Sequence, residues 1–195
     1  MEVTVTKINT ADIADLYTSR ARTSRTPGWH VSTLVRSGWH LLGGNKPYSY
    51  GDTDDLGLAA AGSVWEGLLR SYVGSLPNIG YVTDVEASKD DIYGNLDGYT
   101  VDITTGEITV QEVKFKFTAL KPMSEYPLEL YQVMAYCSMV GATKAVMFYG
   151  CITSRPPSFM VERRDLSFTQ EEVDEAWKFL LAVRKSLEKK GIAPS

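Results

Sequence analysis

Within the run over 108–117, charged and apolar residues alternate from Glu112 to Phe117, which predicts a strand carrying Glu112, Lys114 and Lys116 on one face and Val113, Phe115 and Phe117 on the other. This assigns the charged face to chemistry and the apolar face to the core. A second run over 94–103 is rich in β-branched and aromatic residues, and Thr104-Thr105-Gly106 between the two is a hairpin turn signal. Runs over 81–88, 144–153 and 159–165 predict three more strands. The helical pattern predicts a first helix over 11–22, a second N-capped by Ser32 and ending before Gly43-Gly44, and an apolar helix over 56–73. A long helix opens at Pro127 and stops at Gly141, and a last one runs to Lys190 behind a capping box of Thr169 and Glu172.

The long helix between the third and fourth strands is a crossover, which requires parallel pairing in a sheet otherwise built of hairpins. The expected fold class is α/β (α+β), a mixed sheet flanked by helices. A chain of 195 residues with 44% hydrophobic content fills one core, so a single domain over 1–195 is expected. Its parts are an amino-terminal helical region over 11–44, a core over 56–165 and a carboxy-terminal helix over 169–190.

Charge changes the picture in one place. The formal net charge of −4 argues against a generally basic surface, yet from Leu16 to Gly51 there is no Asp or Glu. Arg20, Arg22, Arg25, Arg36, Lys46, His30 and His40 all fall in that stretch, which either tracks phosphates or is a solvated surface balanced by acids elsewhere. His30 and His40 are phosphate contacts or surface packing. The acids early and lysines late in the last helix match its macrodipole and read as structure. Cys137 and Cys151 are expected as buried thiols, and two cysteines cannot supply a four-cysteine cluster. The start lacks the features of a signal peptide, and no apolar run approaches a membrane span, so a cytoplasmic setting is expected.

Candidate chemistry gathers around the hairpin. Counting outward from the turn puts Asp97 opposite Glu112, to within one residue for a bulge at Gly106. Cross-strand Cβ atoms lie about 5 Å apart, a span over which two carboxylates can share a hard cation. Glu66 is the only acid in a helix otherwise built of residues such as Val64, Trp65, Leu68 and Leu69, so it faces either water or a polar site. Gln132 and Tyr136, four apart, share a face of the crossover helix. Asp102 belongs to the opposite strand face from Asp97, while Asp84 and Glu86 are peripheral ligands or a solvated edge.

In order, the chain carries Gly62-Ser63-Val64-Trp65-Glu66, Leu96-Asp97-Gly98, Gln111-Glu112-Val113-Lys114 and Gln132-x-x-x-Tyr136. This resembles the PD-(D/E)XK nuclease superfamily in its RecB-like and lambda-exonuclease-like branch, over roughly His30 to Thr153. The region from Arg20 to Leu42 is also similar to the CRISPR-associated RecB-like exonucleases, but without their cluster-ligating cysteines, so no iron–sulfur cluster is expected. The resemblance implies a restriction-endonuclease-like αβββαβ core and a Mg²⁺- or Mn²⁺-dependent DNA exonuclease of phage or prokaryotic recombination, repair or replication. The alternatives are a structure- or single-strand-specific endonuclease and a catalytically silent DNA-binding subunit. Implied metal ligands are Asp97, Glu112, the Val113 carbonyl and Glu66, with Lys114 orienting water or neutralising charge on the phosphate. Gln132, Tyr136, Arg36, His30 and Ser32 are implied to contact DNA or to support the site. The partner is DNA, single-stranded or at double-stranded ends, alongside a homo-oligomer or a recombination protein, with no membrane involved.

Overall fold

The computed structural model describes residues 26–43, 67, 71, 75, 79–116, 119–154 and 157–194. The expected first helix, Glu66 and nearly all of the helix over 56–73 lie outside them, although Gly67 and Ser71 are helical. The elements are β1 (Trp29–His30), α1 (Val31–Leu42), β2 (Ile79–Lys89), β3 (Ile92–Asp102) and β4 (Ile108–Lys116). After a 3₁₀ turn at Met123–Glu125 follow α2 (Pro127–Val140), β5 (Lys144–Ser154), β6 (Pro157–Ser167) and α3 (Gln170–Lys189).

The sheet is mixed, as expected. β2 pairs antiparallel with β3, β3 with β4, and β5 with β6, while the crossover through α2 sets β5 parallel to β4. Pro127 opens α2 and Gly141, at φ 71°, closes it, because a left-handed residue ends a helix without a Cβ clash. The capping box of α3 forms as the spacing predicts: Thr169 accepts from the Glu172 amide, and Glu172 accepts from the Thr169 amide. Such a cap contributes about 1 kcal/mol. At the hairpin, Asp102 Oδ1 accepts from the amides of Thr104 and Thr105, which ties this carboxylate to the turn.

Two local readings need correction, and one short strand is new. The α1 N-cap is His30, with no side-chain cap bond, and Ser32 lies inside the first turn. Just before α1, Trp29 and His30 form a short strand, which the sequence pattern did not predict, parallel to the start of β3. They occupy the side of β3 that β4 leaves vacant, since β4 pairs only from Gly98 to Val101. Finally, the apolar face of β4 does not hold the main core.

That core lies on the Glu112 side. Val110 of β4 joins Ala145, Met147 and Tyr149 of β5 and the inner faces of α1, α2 and α3. Val113 and Phe115, on the opposite face, pack with Val146, Phe148 and Tyr81 in a smaller cluster. At the far end of the β2–β3 hairpin, Asp90 and Asp91 turn the chain with φ of 51° and 56°. The Trp177 indole donates to Asp90 Oδ2 at 2.8 Å and Arg184 donates to the Asp90 carbonyl at 2.6 Å, so α3 fixes the hairpin that carries Asp97.

Gly98 is required for β2 to approach β3. A Cβ there would stand 2.6 Å from the Val82 carbonyl oxygen and 2.8 Å from the Tyr81 ring. Gly98→Ala is therefore expected to push the strands apart, destabilising by about 1–3 kcal/mol. A thermal melt checks this, and an unchanged Tm would contradict the close approach.

Candidate active site

β3 and β4 separate at the site. Their last ladder pair is Gly98 with Gln111, and the same register carried one step further sets Asp97 opposite Glu112. Here the Asp97 side chain takes over from the backbone: its Oδ2 accepts from the Val113 amide at 2.7 Å. A charge-assisted bond of this kind fixes the carboxylate on the neighbouring strand. The ladder from Gly98–Gln111 to Val101–Ile108 contains no bulge, so its register runs on toward the expected neighbours Asp97 and Glu112.

Glu112 is 2% exposed. Its Oε1 accepts from Lys114 Nζ in a short ion pair and from Gln132 Nε2 at 3.2 Å. Gln132 Nε2 also lies 2.9 Å from the Tyr136 hydroxyl, and Lys114 Nζ lies 3.4 Å from Gln132 Oε1. One helix face thus orients one oxygen of the carboxylate. The other, Oε2, is buried with no hydrogen-bond partner. A buried, unpaired carboxylate oxygen is costly, and a bound ion is one way in which a native structure satisfies it.

Electrostatics agree with that reading. Desolvation first, and then the charge of Asp97, push the Glu112 carboxyl from its ordinary 4.5 to about 8, with Lys114 opposing both. Burial pulls the Lys114 ammonium down, but the charges of Glu112 and Asp97 outweigh it and leave Lys114 raised. Two carboxylates facing each other across a strand pair, one with an unpartnered oxygen, suit a hard divalent cation. Among the described residues no three His, Cys, Asp or Glu side chains come together as a cation cage, and the third expected carboxylate, Glu66, lies outside them.

The structure thus brings together Asp97, Glu112, Val113, Lys114, Gln132 and Tyr136. Arg36 and His40 are exposed on α1, and Ser32 is partly buried in its first turn. His30 is not a surface residue: it is 2% exposed, and its ring nitrogen lies 2.7 Å from the Thr26 carbonyl. Glu86 is exposed on β2. Cys137 and Cys151 are buried and form no disulfide, and desolvation pushes the Cys137 thiol up to about 12.

Sequence reasoning missed Glu129. It lies three residues before Gln132 on the same face of α2, where it pairs with Lys116 and Tyr149. Its spacing from Gln132 was the available signal. No helix among the described residues is long and apolar enough to cross a membrane.

No protein-family model and no curated protein sequence matches the chain. Solved structures do. An alkaline exonuclease from Laribacter hongkongensis superposes with a TM-score of 0.52 at 11% identity, over 88% of this chain and 93% of that one. A phage-related exonuclease from Haemophilus somnus gives 0.52 at 10% identity over 80% and 79% of the two chains. The crystal structure of SSO0001 gives 0.53 at 14% identity over 89% and 85%. The mixed α+β fold is therefore shared with exonucleases, as the resemblance implied.

The raised Glu112 carboxyl has a consequence for stability. Between about pH 4.5 and about pH 8 the folded, metal-free protein retains a proton that the unfolded chain has released. Its contribution is fully present below the lower value and is lost as pH rises through the upper one. Thermal melts in EDTA across this window are expected to show a falling Tm, and Glu112→Gln is expected to flatten the fall. Equal slopes for the two proteins would contradict the assignment.

Proposed function

Starting from a fold shared with exonucleases, we propose that this chain is a Mg²⁺- or Mn²⁺-dependent deoxyribonuclease that hydrolyses phosphodiester bonds at DNA ends. The observation that carries the reading is the buried, unpartnered Oε2 of Glu112 beside an Asp97 carboxylate anchored on the next strand. Asp97 and Glu112 would hold the ion, with the Val113 carbonyl and Glu66 as further ligands. When bound, it supplies Lewis-acid charge to the phosphate and lowers the pKa of an attacking water.

The rest of the chemistry belongs to the side chains. Lys114, 24% exposed, is the cation at the mouth of the site, where it meets negative charge developing on the phosphate. Gln132 sets the orientation of Glu112 and is itself held by Tyr136, so the crossover helix keeps the carboxylate aimed. Arg36 on α1 is an exposed cation for the DNA backbone, and Ser32 lies one turn before it. Buried His30 anchors the start of that helix rather than touching phosphate. We assign the activity to phage or prokaryotic DNA recombination, repair or replication, a role in keeping with a fold shared with a phage-related exonuclease.

Linear and covalently closed circular DNA, each incubated with Mg²⁺, Mn²⁺ or EDTA, test the reading. Metal-dependent loss of linear DNA alone is expected. Nicking of circles would instead support the endonuclease, and binding without hydrolysis the silent subunit. Lys114→Met is expected to lower kcat by about 10²-fold or more. Wild-type cleavage by that variant would remove Lys114 from the mechanism.

A further inference from the structure

The proposed chemistry leaves a second carboxylate–lysine unit unused. Glu129 Oε1 accepts from Lys116 Nζ in a short ion pair, and Glu129 Oε2 accepts from the Tyr149 hydroxyl at 2.6 Å. Lys116 stands two residues beyond Lys114 on β4, so the two side chains leave the same strand face. The pattern repeats: the lysine side chains are 24% and 26% exposed, whereas their carboxylate partners, Glu112 and Glu129, are 3% and 14% exposed. Two partly exposed lysine side chains thus leave one strand face, each paired with a more deeply buried acid.

Two strand residues span about 6.7 Å. That is comparable with the separation of successive phosphates along one nucleic-acid strand. Lys116 is also steered from the side, its Nζ standing 4.9 Å from the centroid of the Tyr126 ring, which stacks on Tyr149 at 5.7 Å. Burial, and then the bond to Glu129, raise the Tyr149 hydroxyl well above its ordinary value, so it stays a neutral donor to Glu129. The carboxylate therefore keeps one partner if Lys116 leaves it.

We propose that Lys116 binds the phosphodiester next to the scissile one on the same strand, and that Glu129 is the counter-ion it exchanges for that phosphate. This rests on the nuclease reading. Glu129 then has a defined effect: it competes with DNA for Lys116 and limits how tightly the strand is held. Removing the lysine and removing the acid have opposite consequences, which a merely structural ion pair would not produce.

The test is equilibrium binding of a labelled linear DNA in EDTA over a range of salt, together with steady-state cleavage in Mg²⁺. Lys116→Gln is expected to weaken binding about five- to tenfold and to reduce the salt slope by about 0.7–0.9, with most of the kinetic loss in KM. Lys116→Arg restores both, and Glu129→Gln tightens binding. The double variant Lys116→Gln/Glu129→Gln leaves no unpaired carboxylate and is expected to keep the weaker binding and the reduced slope. Wild-type affinity and slope in Lys116→Gln would overturn the proposal, as would Glu129→Gln weakening binding as much as Lys116→Gln. Failure of the nuclease reading is seen separately, as absence of metal-dependent hydrolysis by the wild-type protein.

Discussion

The hydrogen bond from the Val113 amide to Asp97 Oδ2 is the constraint on which the site depends. Without it, a sheet that opens between β3 and β4 would leave a partly buried backbone donor without this partner and a carboxylate unplaced. With it, the opening is satisfied from within, and two acids are held opposite each other at the point where the strands part. The nearby elements serve this geometry. Trp29 and His30 pair with β3 on the side β4 leaves, Trp177 and Arg184 hold the distant turn, and Gly98 lets β2 come close.

Placing acids there carries a cost. Glu112 sits on the face that holds the main core, almost fully buried, and an isolated ion in that position costs several kcal/mol. Lys114 and Gln132 offset the cost at one oxygen only. An apolar residue at 112 would pack into this core with no such penalty. The arrangement makes physical sense as stored demand for a cation, which would satisfy the second oxygen and relieve the repulsion between Asp97 and Glu112.

Much of this was legible because it is local. The hairpin register followed from one turn, the crossover from Pro127 and Gly141, and the last helix from Thr169 and Glu172. What failed depended on partners distant in sequence. A two-residue strand at Trp29–His30 has no periodicity of its own, and the burial of His30 comes from packing that no nearby residue announces. The apolar face of β4 looked like core because alternation reports two faces without saying which one the helices cover. α2 covers the charged face, and its Glu129, Gln132 and Tyr136 make that burial tolerable. Glu66 is expected at the site from the resemblance alone, since it lies outside the described residues.

The central claim is that Asp97 and Glu112 together form a divalent-cation site. Calorimetric titration of the DNA-free protein with Mn²⁺ tests it most directly, comparing the wild type with Asp97→Asn and Glu112→Gln. Saturable binding by the wild type that either substitution abolishes or weakens by an order of magnitude or more is the predicted result. Binding of equal strength in all three proteins, or none in the wild type, would contradict it.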